Sequence, residues 1–168
     1  FFGVVCIDIS TGLIIGIVST FILLLWRISR PHIAVIGLIE GTQHFRNIQR
    51  HHVLTSSKLL SMRIDENLNF LNAHIFKGFL INAVSQHIDL EHVVINCSSI
   101  SSIDLSAVEM LEDVNAELNK LNIKLHLSEI KGPVMDKLQH SKLLKHLSGK
   151  IYLTHFQAMQ QLSPEVFQ

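Results

Sequence analysis

From Ile9 to Trp26 the chain carries no charged residue, and that run constrains the fold more than any other feature. Its length is about what a helix needs to cross a bilayer. Gly12, Gly16 and Ser19 are small residues at near-helical spacing, as on a helix packed against other membrane helices. Trp26 sits at the edge of the run as an interfacial anchor, and Arg27 and Arg30 follow at once. By the positive-inside rule, everything after Arg27 is expected on the cytoplasmic side. A signal peptide or a buried core helix are the alternatives. A signal peptide carries basic residues before its apolar run and a small-residue cleavage site after it, and neither pattern is present here.

The remainder reads as one α/β unit. Mean hydropathy over the 168 residues is +0.34, high for a soluble domain, with the excess concentrated in the first 26 residues. The formal net charge is +0, so no global field draws in nucleic acid. Cys6 and Cys97 suggest no disulfide framework, which fits a reducing compartment. The chain opens on Phe1 rather than Met, and a piece of a longer protein is expected.

Pro31 ends the apolar helix. Ile33–Ile39 predicts a first strand, Glu40–His52 a polar irregular stretch, and Leu59–Ile64 a second strand. Leu68–Leu71 predicts a short third strand forming a hairpin with the second across Asp65-Glu66-Asn67. Asn72–Gln86 predicts a helix burying Ile75, Phe76, Phe79, Leu80 and Ala83. His92–Cys97 is a β-branched run suited to a strand covered on both faces. A serine-rich loop follows, and then Leu105, Val108, Leu111, Val114, Leu118 and Leu121 mark one helical stripe. Ser106 with Glu109 fits a capping box at the helix start; Asp104 is the other candidate cap. Ile123–Leu127 is the next strand. Gly132-Pro133 opens a helix, Gly149 is expected to stop the segment after it, and Ile151–Leu153 is a last strand. Thr154 and Gln157 frame the start of a final helix reaching Leu162. Strands first, then alternating helices and strands, predict a mixed sheet packed with helices.

Residues for chemistry are sparse. The eleven histidines show no His-x3-His spacing, and there is no Cys-x2-Cys, so no metal site is expected. Ser98, Ser99, Ser101, Ser102 and Ser106 are nucleophiles by type only, with no Gly-x-Ser-x-Gly elbow around them. No Gly-rich phosphate loop is present, no cofactor is expected, and an enzyme is not. Asp8, beside the apolar run, is equally consistent with a functional membrane carboxylate and an interfacial one.

Several stretches, in order, resemble the C-terminal end of the SulP family of anion transporters. Arg27-Ile28-Ser29-Arg30-Pro31-His32-Ile33-Ala34 is similar to the junction after the last membrane helix, and Gly41–Ile48 to the next family stretch. Met62–Asp65 and Leu68–Ala73 are similar to the first hairpin and helix start of the family's STAS domain, and Ser102–Ala107 to its strand-to-helix loop. Leu125–Leu127 and Lys131–Val134 resemble the strand and helix that follow. The resemblance implies a transmembrane helix in residues 1–30 and a cytoplasmic STAS domain in 31–168, at the end of a secondary active transporter of sulfate- or bicarbonate-like anions. The family's anion site lies among membrane helices outside this chain, so no substrate-binding residue carries over. Implied partners are the membrane, the rest of the transporter, a second copy, and a cytoplasmic protein at a regulatory loop of Ser98, Ser99, Ser101, Ser102, Asp104, Leu105 and Ser106. A free-standing STAS regulator of the anti-anti-sigma type is the alternative. In such regulators the residue after the Asp is a phosphorylatable Ser or Thr; here it is Leu105, and Ser106 is the neighbouring hydroxyl.

Overall fold

The computed structural model describes residues 9–167, so Cys6 and Asp8 lie outside the described residues. Helix α1 (Ile9–Ile28) has no buried residue along its length and is long and apolar enough to cross a membrane. With a rise of about 1.5 Å per residue it matches a hydrocarbon core of about 30 Å. Arg30 stacks over the Trp26 ring at 4.4 Å, so the helix ends on a cation–π pair. Beyond Pro31, His32 Nδ1 lies 2.8 Å from Asp65 Oδ2, and Arg63 Nε donates to Asp65 Oδ1 at 2.5 Å. This carboxylate ties the segment that follows α1 to the end of the strand Leu59–Ile64.

A six-stranded sheet follows, with β1 (Ile33–Leu38), β2 (Phe45–Asn47), β3 (Leu59–Ile64), β4 (His92–Asn96), β5 (Lys124–Ser128) and β6 (Ile151–Tyr152). The spatial order is β2-β1-β3-β4-β5-β6; β1 runs antiparallel to β2 and β3, and β3 to β6 are mutually parallel. On one face pack α2 (Ala73–Ser85), α3 (Leu105–Lys120), α4 (Gly132–Gln139) and the single turn α5 (Leu143–His146), around Met62, Phe76, Ile95, Val114 and Leu125. On the other face, α6 (His155–Leu162) and a closing 3-10 turn (Pro164–Phe167) cover Ile36, Leu59, Val94 and Tyr152. Val93, Val94 and Ile95 are fully buried, as a strand covered on both faces requires.

Four expectations are corrected. The hairpin does not form: both edges of β3 are taken by β1 and β4, and Leu68 makes only an isolated parallel bridge to Ile103. Asn69 and Asn72 instead fold the following residues into a turn. Asn69 Oδ1 accepts from the Leu71 amide, and Asn72 Oδ1 from the Asn69 amide. The polar Glu40–His52 stretch contains β2, which Phe45 anchors by burying its ring. Ile75 and Phe79 on α2, and Leu105 and Leu121 at the two ends of α3, are exposed, because Ala73, Val84, Ala107 and Met110 turn inward instead. Gly149 is not a helix stop. A Cβ there would sit 2.2 Å from Leu125 O, so glycine lets the chain pass against β5 before β6 begins.

Candidate regulatory loop and groove

Three elements converge where β4 ends. The strand delivers Cys97, whose amide donates to Ser128 O at 2.8 Å, and Asn96 Oδ1 accepts from the Ser98 amide at 2.9 Å. The chain then crosses to the start of α3 with its free amides held by side chains. Asn67 Oδ1 accepts from both the Ser101 and Ser102 amides, at 2.8 and 2.9 Å. Asp104 is the cap of α3: Oδ1 accepts from the Ala107 amide at 2.9 Å, and Oδ2 accepts from the Phe70 amide at 2.7 Å. The Ser106–Glu109 alternative is thereby corrected, because Ser106 already lies inside the first turn. One carboxylate satisfies amides from two segments, and its charge faces the positive end of the helix.

Lysines from α4 and the residue before it close the other side. Lys131 Nζ donates to Ser101 Oγ at 2.9 Å, and Lys137 Nζ donates to Ile103 O at 2.7 Å. Ser98 and Ser99 are half-buried, whereas Ser101, Ser102, Leu105 and Ser106 are exposed. Leu105 is 72% exposed and Phe70 67% exposed. Phe70 and Ser106 open onto a groove of about 580 Å³ between α2 and α3, lined also by Lys77, Met110, Asp113 and Glu117. Lys77 bridges the groove, donating to Glu117 Oε1 at 2.7 Å.

This arrangement can present a surface. Among the described residues no loop serine hydrogen-bonds to a histidine or carboxylate side chain, and Ser101 Oγ accepts from an ammonium. Burial pushes the Cys97 thiol up to about 12, which leaves it a protonated core group. The one close serine–imidazole pair among the described residues, Ser128 Oγ to His155 Nδ1 at 2.7 Å, lies beneath α6 with both residues buried. Burial, with Arg63 nearby, holds the His155 imidazole down at about 4, so the ring is neutral. The sequence pattern located Asp104 and the exposed serines. Asn67, Phe70 and Lys131 were missed because only the crossover from β3 to α2 and the packing of α4 bring them to the loop.

Comparison with known proteins agrees with this geometry. The STAS domain profile matches residues 47–158. Sulfate transporter 1.3 of Arabidopsis thaliana is 29% identical over 99% of this chain, which covers 27% of that protein's length. Among solved structures, the murine solute carrier 26 family member A9 anion transporter superposes with a TM-score of 0.76 at 14% identity, over 88% of this chain and 25% of that one. The STAS domain of the Vibrio cholerae SulP transporter superposes with a TM-score of 0.53 at 17% identity, over 71% of this chain and 91% of that one. The chain belongs to the STAS domain family, and the homologues that span nearly all of it are sulfate transporters of the SulP type.

Proposed function

We propose that this chain is the C-terminal part of a SulP-type secondary active transporter for sulfate-like anions. Residues 1–30 form its last membrane helix and 31–168 a cytoplasmic regulatory STAS domain. The observation that carries the reading is continuity: the similarity to sulfate transporters runs through the exposed apolar helix and the sheet alike, over 99% of the chain. One helix provides no pathway for an anion, so the transport step belongs to membrane segments beyond this sequence, and the domain works by contact rather than catalysis.

The contact surface in this reading is the loop Ser98, Ser99, Ser101, Ser102, Asp104, Leu105 and Ser106, with Phe70 and the α2–α3 groove beside it. Exposed Phe70 in the groove and exposed Leu105 at the start of α3 suit a docking protein, a second copy, or the transporter's own membrane domain. Leu105 carries no hydroxyl, so the switch of the free-standing regulators has no acceptor at that position. Ser106, in the first turn of α3, is the nearest substitute.

Immunoblotting of source-cell membranes with an antibody to residues 31–168 tests the transporter reading, followed by labelled-sulfate uptake with the gene intact and disrupted. The expected result is a membrane band several times heavier than 19.0 kDa, and uptake that falls on disruption. A soluble band at 19.0 kDa with unchanged uptake would instead make the chain a free-standing regulator.

A further inference from the structure

At the end of the sheet away from the loop, β4 and β5 begin side by side on His92 and Lys124, which are register partners. His126 follows two residues along β5, on the same face as Lys124. A cavity of about 220 Å³ lies there, lined by His92, Lys124, His126, Lys150, Tyr152 and Gln161 among others.

The hydrogen bonds fix the polarity of the histidine pair. The Lys150 amide donates to His126 Nδ1 at 3.0 Å. That nitrogen therefore presents a lone pair, and the proton of the neutral ring sits on Nε2. His126 Nε2 is 3.2 Å from His92 Nδ1, so His126 donates and His92 accepts. His92 in turn holds its proton on Nε2, which has no acceptor among the described residues. A relay that starts on a backbone amide thus ends on a free N–H donor.

The charges around this donor have one dominant sign. Lys124 and Lys150 make no ion pair among the described residues, whereas the adjacent carboxylate Glu91 is held by Lys58 at 2.7 Å. Burial lowers the His92 imidazole, and Lys124 and Lys58 lower it further against the opposing pull of Glu91. Burial, then His92, Lys124 and Lys150, bring His126 down to about 4. From α6, only the uncharged Gln161 and Leu162 reach the cavity. The space is smaller than the roughly 300–1,000 Å³ of pockets that hold organic ligands.

We propose that this cavity is a binding site for a small oxyanion of the sulfate, phosphate or bicarbonate class, held by Lys124, Lys150 and the Nε2–H of His92. The proposal concerns side chains of this chain alone and does not depend on the transport reading. The anion comes from free solution rather than from a lipid headgroup. The segment after α1 enters the sheet where Ile33 pairs with Ile64, at the carboxyl end of β3, while His92 pairs with Leu59 at its amino end. The anion is held by the neutral ring, because a proton added at His92 Nδ1 would oppose the His126 Nε2–H that donates to it.

The test uses the full chain in phosphatidylcholine nanodiscs at constant ionic strength, with histidine and lysine side chains followed by NMR during additions of sodium sulfate. Saturable shifts at His92, Lys124 and Lys150 are expected, absent with chloride, and about tenfold weaker in affinity in a K124Q/K150Q variant that unfolds at the same temperature. Inorganic phosphate and bicarbonate should compete. Shifts that rise linearly, that chloride reproduces, or that survive K124Q/K150Q unchanged overturn the site. Shifts produced by phosphatidylinositol phosphate in the disc, with none from sulfate, overturn the free-anion assignment.

Discussion

His155 shows how a single side chain can set the acid limit of this domain. Its ring is buried under α6 against Ser128 and the edge of Phe45, and burial holds it neutral with a value of about 4. An unfolded histidine titrates near 6.5, so between the two values the unfolded chain binds the proton more readily. Stability from this group is therefore complete above about 6.5 and falls as pH drops toward 4. By pH 5 the loss is about 2 kcal/mol, and His126, also near 4, adds to it in the same direction. Thermal unfolding at pH 7 and pH 5 should show the drop, and H155Q should flatten it even if it unfolds earlier at pH 7. Asp104 gives a second residue-scale expectation. Its two oxygens serve the Ala107 and Phe70 amides, so D104A should cost about 1–2 kcal/mol in urea unfolding, and D104N less because one acceptor remains.

At the scale of elements, two glycines that look alike in the sequence have opposite consequences. Gly78 lies inside α2 with nothing within 4 Å of a built Cβ, so G78A should stabilise the helix by about 0.5–1 kcal/mol. Gly149 runs against β5, where a Cβ would meet Leu125 O at 2.2 Å and His126 Nδ1 at 2.6 Å. G149A should therefore cost about 1–3 kcal/mol and loosen β6 first, visible as faster amide exchange at Leu127 and Glu129. Helices α2 and α3 were legible from their stripes because their buried residues recur at helical spacing. Their ends were not: Leu105 and Leu121 continue the apolar pattern of α3 but are exposed at its two ends. Strand β2 escaped notice because three residues with one buried ring carry no periodicity. The expected hairpin failed for the opposite reason. Apolar character at Leu68 and Leu71 is real, but asparagine side chains turn the backbone there before it can pair.

For the molecule as a whole, α1 carries the proposed membrane attachment. Its 20 residues include no buried side chain and are long and apolar enough to span a bilayer. The chain should resist extraction from membranes by alkaline carbonate, and deletion of residues 1–30 should release it to the soluble fraction. Retention of the shortened chain on membranes would show that the sheet domain carries an anchor of its own. The Asp65 contact belongs to this scale too, because it joins the entry from α1 to the sheet. Burial raises the Asp65 carboxyl, but hydrogen bonds from Arg63 and His32 outweigh it and leave the group below its ordinary value. The contact is present above the ordinary carboxylate range and is lost as pH falls through the lowered value.

Composition and spacing alone determined the membrane-length helix, the buried central strand, the stripe of α3 and the acidic residue at its start. Each is a local consequence of hydrophobic periodicity or of a side chain within reach of its own backbone. Tertiary structure alone decided which residues surround the loop and where the charged cavity lies. Asn67 and Lys131 meet Ser101 from opposite sides in sequence, and His92 meets His126 across 34 positions, because parallel strands place residues side by side that the chain keeps far apart.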